Sequence, residues 1–344
     1  MSERGRVLQV MMAGMKPIPP ASVITLGECM TAFVATTPGP LADAIDFERH
    51  IAGAEANVAV GLARLEHRVA YLGRVGVDGF GTAIVRKLRG EGVDVGHLVV
   101  DAEGRTGVLF RERRALGAID VVYHRAGSAA SHLGPGDIDQ AVDDGVFEGA
   151  RWLHLTGITP ALSISARAAA LRARDVARER GMTISLDVNL RRRLWSDTEA
   201  APVLRDLAEG IDVILGSPDE LAVLVAADAT GEPADLLAAI VAAGHATAVA
   251  KLGSDGVLAI ETGGEAVRVA GIPVAQIVDP VGAGDAFCAG FIAGRLDGVD
   301  LTAALRMGNA CGALAVAAAG DQAGLPDPAE LARLLETGGP DTLR

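Results

Sequence analysis

A short glycine-rich turn with an acid on each side is the stretch of this sequence best suited to chemistry. It occupies 279–285 (DPVGAGD) and leads into a run of small and apolar residues that predicts a helix over Ala283–Leu296. Glycine lacks a Cβ, so its backbone can turn sharply and its N–H group can approach an anion. The first turn of a helix also leaves N–H groups unpaired, and the helix dipole adds to their attraction for negative charge. The amides of Gly282, Ala283 and Gly284 are therefore predicted to bind a phosphate oxygen.

Asp285, at the end of this turn, stands where a carboxylate could take a proton from an incoming hydroxyl group. The alternative is structural, because glycines also shape tight turns and aspartate also caps helices. The acids on both sides and the small residues of the helix favour the chemical interpretation. The sequence contains no GxxxxGK[ST] motif, so a P-loop nucleotide site is excluded.

A second polar segment, 187–195 (DVNLRRRLW), follows a predicted buried strand. Ligands of an open α/β sheet lie at the carboxyl ends of its strands, and three consecutive arginines in an acidic chain suit an anion. For Arg192 and Arg193 we expect only a solvated loop, with one of them paired to Asp187 or Asp197. The remaining arginine of the segment is the candidate anion ligand.

The composition describes an acidic globular protein. Its 344 residues carry a formal charge of −13 at pH 7, half are hydrophobic, and 22% are charged. This balance argues against a nucleic-acid partner, which needs a basic surface, whereas a few local arginines can still bind an anionic substrate. No stretch after the first residues holds the ~20 apolar residues of a membrane span. The three cysteines are far apart and form no disulfide or metal pattern, so we expect a cytoplasmic protein without a membrane partner.

Short β-branched runs alternate along the chain with longer Ala- and Leu-rich stretches, which predicts an open, mostly parallel sheet with helices on both faces. Strands are expected at Val23–Leu26, Val69–Leu72, Trp152–Leu155, Thr183–Asp187, Val213–Leu215 and Thr247–Leu252. Helices are expected at Ala56–Leu65, Gly79–Glu91, Ser163–Arg180, Thr198–Gly210, Ala234–Ala243, Ala283–Leu296, Leu301–Ala319 and Pro328–Glu336.

Two regions interrupt the alternation, one at about 30–51 and the other at about 106–125. The first has strand-like pieces around turn residues and no helix, and the second predicts a hairpin about a loop at Ala115–Ala118. Antiparallel strands that leave a parallel body could form a small second sheet, either as a lid or as a contact with a second copy of the chain. Because the edge of such a sheet invites pairing, we expect a homo-oligomer through these strands.

Two motifs now resemble those of one family. Residues 279–287 (DPVGAGDAF) resemble the C-terminal signature of the ribokinase-like (PfkB) carbohydrate kinases, and 53–59 (GAEANVA) with 73–81 (GRVGVDGFG) resemble their N-terminal signature. The resemblance covers roughly Ser22 to Leu335. It implies a Rossmann-like three-layer α/β/α kinase domain over 22–338 with a small β-sheet lid, between a flexible extension at 1–21 and a tail at 339–344. It also implies ATP-dependent phosphorylation of a sugar hydroxyl.

The resemblance implies that Asp285 is the catalytic base and that the glycine-rich turn is the anion hole. ATP with Mg²⁺ is the implied cofactor, and potassium near Asp279 is left open. The implied nucleotide-side residues are Ser217, Glu220, Lys251, Gly253, Gly256 and Asn309, with Glu220 and Asp279 as the metal candidates. Where many relatives have Asn-x-x-Glu, this chain has Ser217-Pro-Asp-Glu220. A helix start with Ser217 as N-cap is the alternative for that segment.

The acceptor side resembles the 2-keto-3-deoxygluconate kinases of this family. Residues 187–195 resemble their D-x-N-x-R-x-x-L-W segment, and 123–129 (YHRAGSA) resemble their Y-x-R-A-G-S-A run. The resemblance implies that Arg191 contacts acceptor and phosphate, while Tyr123 and Arg125 reach the acceptor from the lid. An arginine fork suits a carboxylate in a way that lysine cannot match. The other implied acceptor ligands are Glu28, Gly53, Asn57, Asp187 and Asn189.

The expected reaction is therefore phosphorylation of the terminal hydroxyl of 2-keto-3-deoxygluconate, a sugar acid. Two alternatives remain open from the sequence. The chain could be a fructokinase- or ribokinase-type kinase of a neutral sugar, or a sugar- or nucleotide-binding regulator that has lost turnover. A dinucleotide-binding oxidoreductase is disfavoured, because no G-x-G-x-x-G follows the first strand.

Overall fold

Buried strands form a nine-stranded sheet in the computed structural model, which describes residues 21–113, 120–225 and 231–337. Across the sheet the order is β13-β12-β11-β10-β9-β8-β1-β4-β5. The seven strands from β11 through β1 to β5 are parallel, whereas β12 runs antiparallel to both of its neighbours, β11 and the edge strand β13. The strands are β1 (Val23–Gly27), β4 (Val69–Gly76), β5 (Leu98–Asp101), β8 (Trp152–Thr156), β9 (Thr183–Asp187), β10 (Val213–Gly216), β11 (Thr247–Lys251), β12 (Val257–Glu261) and β13 (Val267–Val269).

Helices cover both faces of this sheet. Within the described residues they are α1 (Ala54–Arg64), α2 (Gly79–Gly90), α3 (Pro135–Asp143), α4 (Thr159–Leu162), α5 (Ile164–Glu179), α6 (Asp197–Ala208), α7 (Pro218–Val225), α8 (Pro233–Ala242), α9 (Ala283–Leu296), α10 (Leu301–Val316) and α11 (Pro328–Thr337). One apolar core lies between the sheet and α1, α2, α9, α10 and α11, and the other lies beneath α3 and α5 to α8. The expected three-layer α/β/α architecture is confirmed.

The elements that the hydrophobic pattern did not predict are short or lie at or next to the sheet's edge. Strands β5 and β13 are edge strands and β12 lies beside β13; all three have partly exposed side chains, so they lack the continuous apolar run of a buried strand. Helices α3, α4 and α7 have four to nine residues and give little periodicity. The expectations for the extension up to residue 20, for the loop at Ala115–Ala118 and for the tail lie outside the described residues.

A second, four-stranded sheet leaves the body at the two regions where the alternation breaks, and we call it the lid. In the described part of the chain it has the order β3-β2-β6-β7, from β2 (Met30–Pro38), β3 (Phe47–Ala52), β6 (Val108–Arg113) and β7 (Val121–His124). Each hairpin is antiparallel as expected, but the central pair β2 and β6 is parallel. Only Glu28 and Cys29 separate β1 from β2, so the lid begins directly at the carboxyl end of a body strand.

No helix within the described ranges is long and apolar enough to cross a membrane.

Candidate active site

The glycine-rich turn opens helix α9 at the edge of a cavity between body and lid. Gly282 is the N-cap residue with φ of 84°, and a Cβ there would lie 2.8 Å from the carbonyl oxygen of Asp321. Glycine is therefore required at this position for both conformation and space. Among the described residues, the amides of Ala283, Gly284 and Asp285 have no hydrogen-bond acceptor, whereas the next amide bonds back to Gly282. Three donors thus remain available to an anion, and two of them, Ala283 and Gly284, belong to the predicted set of Gly282, Ala283 and Gly284.

Asp285 lies beside these amides at the cavity wall and is 7% exposed. The amide nitrogen of Asn57, on α1, donates to Asp285 Oδ2 at 2.8 Å, and that of Asn189 lies 3.4 Å from Oδ1. Gln322 in turn donates to Asn57 Oδ1 at 3.1 Å. Burial raises the pKa of Asp285 to about 6, against the hydrogen bond from Asn57 and the charge of Arg191, which both lower it. The carboxylate is thus oriented by two amides and has the basicity of a proton acceptor near neutral pH.

Asp187 lies below the cavity wall rather than at its surface, which corrects its predicted role as an acceptor ligand. It is 1% exposed, and Lys251 Nζ lies 2.6 and 2.8 Å from its two carboxylate oxygens. Burial by itself would lower the pKa of Lys251, but the Asp187 carboxylate keeps it above its ordinary value. The pair therefore fixes a positive charge that lines the cavity next to Gly284.

Asn189 lines the cavity at the end of β9 and adopts a positive φ of 41°, which asparagine tolerates better than most residues. Its amide nitrogen lies between two carboxylates, 3.1 Å from Asp187 and 3.4 Å from Asp285. Its buried oxygen Oδ1 has no hydrogen-bond partner in the described part of the structure. A buried acceptor without a partner is costly, so this atom is suited to a hydroxyl group of a ligand.

The predicted acceptor ligands Glu28 and Arg125 meet at the junction of body and lid. Arg125 Nη2 lies 2.5 Å from Glu28 Oε2, and Ser128 donates to Glu28 Oε1 at 2.5 Å. Arg125 stacks over Tyr123 at 5.6 Å, while its buried Nε has no hydrogen-bond partner among the described residues. Gly53 packs against this corner, because a Cβ there would lie 2.3 Å from the Glu28 carbonyl oxygen. All of these residues except Ser128 line the cavity.

The three arginines after β9 have different surroundings. Arg191 is exposed to the cavity and makes no ion pair within the described ranges. Arg192 pairs with Asp197 at 2.8 Å, as expected for a solvated loop. Arg193 departs from that expectation, since it reaches the lid and lies 2.7 Å from Asp120. Within the described ranges, the loop therefore supplies an unpaired cation to the cavity through Arg191 and an ion pair to the lid through Arg193.

The cavity has a volume of about 940 Å³, enough for a nucleotide and a small acceptor together. Six cationic and five anionic side chains line it, in a chain whose formal charge is −13. The cavity is thus far less acidic than the rest of the molecule. An electrostatic contrast of this kind favours an anionic ligand.

Residues 20–328 match the model of the pfkB family of carbohydrate kinases. The chain belongs to this family. It is 39% identical to a 2-dehydro-3-deoxygluconokinase of Thermoproteus tenax over 92% of this chain and 94% of the relative. Identity to a protein of the same name in Bacillus subtilis is 38%, over 91% of this chain and 94% of the relative. An E. coli protein named as a candidate ribokinase II, solved with ATP and Mg²⁺, superposes with a TM-score of 0.84 at 27% identity, over 92% of this chain and 99% of that one.

Ser217 and Glu220, which the sequence analysis expects on the nucleotide side of this pfkB kinase, line the cavity. Glu220 Oε1 accepts the backbone N–H of Leu190 at 2.9 Å, and Oε2 accepts that of Ser217 at 2.8 Å. The helix-start interpretation is met in part: Glu220 accepts the Ser217 N–H, but the Ser217 hydroxyl donates to Asp219 Oδ1 at 2.5 Å instead of accepting an amide of the helix. Glu220 thus links the loop after β9 to the start of α7. Because each of its oxygens already accepts one N–H group, fewer lone pairs remain for a metal ion.

The remaining predicted nucleotide residues lie away from this cavity. Gly253 and Gly256 flank the turn between β11 and β12, and neither lines the cavity. A Cβ on Gly256 would lie 2.1 Å from the Val269 carbonyl oxygen, so the packing of its own chain already requires glycine here. Asn309 donates to the carbonyl oxygens of Val269 and Ala270 at 3.3 and 3.0 Å and borders a separate cavity of about 410 Å³.

Asp279, predicted as a metal ligand, is engaged by a side chain that the sequence analysis missed. Arg111 Nη2 lies 2.6 Å from Asp279 Oδ2, and Nη1 lies 3.0 Å from Asp321 Oδ1. All three residues are at least 90% buried. A signal was present, since alternation along β6 places Arg111 on the same face as the buried Leu109.

Glu55, like Arg111 and Asp321, is a charged cavity residue that the sequence analysis missed. Its Oε1 accepts the hydroxyl groups of Thr156 and Thr159 at 2.6 and 2.7 Å, and its Oε2 is buried without a partner in the described part of the chain. Burial raises the pKa of Glu55 above its ordinary value. An acid in the first turn of a helix is common for electrostatic reasons alone, so its position in 53–59 gave no separate signal.

Proposed function

We propose that this pfkB carbohydrate kinase transfers the γ-phosphoryl group of ATP to the terminal hydroxyl of 2-keto-3-deoxygluconate. The single observation that carries the proposal is the position of Asp285, a buried carboxylate held by two amides next to three unpaired N–H groups. The carboxylate can accept a proton from the alcohol, and the N–H groups can stabilise the negative charge that develops on the phosphoryl group. The names of the two relatives support the choice of acceptor.

In the proposed mechanism, Asp285 removes the hydroxyl proton as the acceptor oxygen forms its bond to phosphorus and the bond to the leaving ADP breaks. The amides of Ala283, Gly284 and Asp285 face the equatorial oxygens of the transferred group. Arg191 and Lys251 add positive charge at the cavity wall. The lid excludes water, which would otherwise compete with the sugar as nucleophile.

The nucleotide enters as its magnesium complex, because the described residues offer no closed metal cage. No group of three His, Cys, Asp or Glu side chains among them is arranged around one point. Magnesium usually keeps several waters and binds substrate phosphates with few protein ligands, so such a cage is unnecessary. Glu220 would hold that ion through a water molecule, since each of its oxygens already accepts one backbone N–H.

The proposed acceptor is an acid because its end of the cavity is rich in arginine. Arg125 keeps a buried Nε without a partner in the described ranges, and Arg191 is an unpaired cation. Tyr123 holds the Arg125 plane in place by stacking. An acidic acceptor would give Arg191 the ion pair that it lacks within the described ranges and would offer Arg125 Nε a charged acceptor, neither of which a neutral hexose supplies.

An acceptor panel in a coupled ADP-release assay tests this proposal. We expect 2-keto-3-deoxygluconate to exceed fructose and ribose in kcat/KM by at least about 100-fold, a difference typical of a site built for a polar group. Arg125→Lys keeps the charge near Glu28 but loses the fork, so the KM for the acid should rise by about tenfold while that for a neutral sugar changes little. Arg172→Lys, at an exposed pair on α5, is the matched control. A preference for a neutral sugar would contradict the proposed acceptor.

We also propose that the lid pairs with the lid of a second copy. Three of the seven phenylalanines form an aromatic cluster on the lid face opposite the cavity, through contacts of Phe110 with Phe33 and Phe47, and Phe33 also contacts Phe80 of helix α2. Val122 is 39% exposed on the same face. Light scattering should give a dimer that Val122→Asp converts to monomer, and a monomeric wild-type protein would contradict this arrangement.

A further inference from the structure

Arg111 joins the lid to the first residue of the glycine-rich turn, Asp279, and to Asp321 in the loop after α10. Its side chain is 4% exposed, and each of its terminal nitrogens lies within 3.0 Å of a different buried carboxylate, one on Asp279 and one on Asp321. Two carboxylates this deeply buried would repel each other without a cation between them. The planar guanidinium meets both at once because it donates in two fixed directions.

The two carboxylates belong to residues that shape the turn. Asp279 Oδ1 accepts the N–H of Val281 at 3.1 Å, and its Oδ2 accepts that of Gly320 at 3.2 Å. The Asp321 backbone packs on Gly282, since its carbonyl oxygen would lie 2.8 Å from a Cβ there. The contacts that set the direction of the unpaired amides therefore depend on the charge balance around Asp279 and Asp321.

A potassium ion at Asp279, which the family resemblance leaves open, does not fit this arrangement. A hard cation needs several oxygen ligands, and the two carboxylates that could supply them face a guanidinium group. Displacing Arg111 would leave a buried guanidinium without its partners, which is strongly unfavourable. The positive charge at this position thus comes from the chain itself.

We propose that Arg111 is a positioning residue that serves as the enzyme's built-in cation, so that phosphoryl transfer does not depend on a monovalent metal ion. The inference rests on the proposed kinase activity but not on the identity of the acceptor. Its physical basis is the sensitivity of transfer to geometry, because a misplacement of about 1 Å can cost on the order of 100-fold in rate. Without Arg111 the two carboxylates separate, and the turn loses the orientation of its amides.

The first test compares the wild-type enzyme in buffers whose only monovalent cation is potassium, sodium or tetramethylammonium. The expected result is a kcat that is the same within about twofold, and equal affinity for a non-hydrolysable ATP analogue by calorimetry. Arg111→Gln should lower kcat by on the order of 100-fold, with the KM for ATP changed little. Guanidinium chloride at millimolar concentration should restore part of that loss, and Arg111→Lys should retain more activity than Arg111→Gln. Arg89→Gln, at an exposed arginine near the end of α2, is the matched control and should behave as wild type.

Three outcomes would overturn the inference. The first is stimulation of wild-type turnover by potassium of about tenfold or more, and the second is a wild-type kcat in Arg111→Gln. The third is a defect confined to the KM for the acceptor, which would make Arg111 an acceptor ligand. If Arg111→Gln fails to fold, the inference is still tested by the cation series on the wild-type enzyme and by the kcat of Arg111→Lys. Failure of 2-keto-3-deoxygluconate in the acceptor panel is distinguishable, because the cation series is then run with whichever sugar is phosphorylated.

Discussion

Replacing Asp285 by asparagine should abolish phosphoryl transfer and at the same time stabilise the protein. Burial raises the pKa of this carboxyl from 3.8 to about 6. A shift of about two pH units corresponds to ~3 kcal/mol, which is the free energy by which the ionised carboxylate destabilises the fold above pH 6. Asparagine removes that charge. It also weakens one of the two amide contacts, which costs ~1 kcal/mol, so the net gain should be ~2 kcal/mol.

The sign of this effect depends on pH. The pKa is higher in the folded than in the unfolded chain, so stability is lost as the pH rises from 3.8 through about 6 and the carboxyl ionises. Below pH 3.8 both states are protonated and the destabilisation disappears. The advantage of Asp285→Asn should therefore be full at pH 8 and fade towards pH 4.

Thermal unfolding at pH 8, 6 and 4, followed by circular dichroism, measures the stability difference. A gain of ~2 kcal/mol should raise the midpoint at pH 8 by a few degrees in a chain of this size. The coupled ADP-release assay measures the loss of transfer, and titration with an ATP analogue checks that nucleotide binding survives. Asp43→Asn, at an exposed acid, is the control. A variant that is no more stable at pH 8, or that keeps wild-type turnover, would refute the reasoning.

Two further substitutions test the parts around this base. Asn57→Ala removes the 2.8 Å hydrogen bond to Asp285, so kcat should fall by about tenfold or more. The acidic limb of the pH profile of kcat should also move above pH 6, because a contact that lowers the pKa of Asp285 is lost. An unshifted limb would argue against Asp285 as the titrating base. Gly282→Ala places a Cβ at φ of 84° and 2.8 Å from the Asp321 carbonyl oxygen, so we expect a loss of stability of at least ~1 kcal/mol and a larger loss of kcat. Wild-type kcat in this variant, measured by the same ADP-release assay, would contradict the role assigned to the turn.

The geometry of the glycine-rich turn, with the Asp285 carboxylate beside it, follows closely from the local sequence. Glycines at 282 and 284 and the small residues after them specify a turn that opens a helix, and helix α9 begins and ends where the pattern predicts. Likewise, the alternation of buried runs with amphipathic stretches predicts the parallel body, because buried strands and covering helices have different periods. The breaks in that alternation locate the lid. These features depend on neighbours in the chain, which the sequence displays directly.

Contacts between residues that are far apart in the chain could not be predicted in this way. Asn57 and Asp285 are 228 positions apart, Glu28 and Ser128 are 100 apart, and Arg111 lies 168 residues before Asp279. A single sequence shows that each of these side chains is polar but not which carboxylate it will meet. The prediction of a metal role for Asp279 could not take Arg111 into account for this reason, because that cation comes from a lid strand far away in the chain.

What the sequence determined by itself is the set of chemical groups and the local backbone that presents them: unpaired amides, an adjacent carboxylate, and arginines near strand ends. Only the tertiary structure decided the charge and basicity of those groups. Burial shifts the pKa of Asp285, Asp187 binds Lys251 below the surface, and Arg111 neutralises a pair of buried acids. These effects come from desolvation and from distances of about 3 Å between side chains, and both exist only once the sheet and lid have packed together.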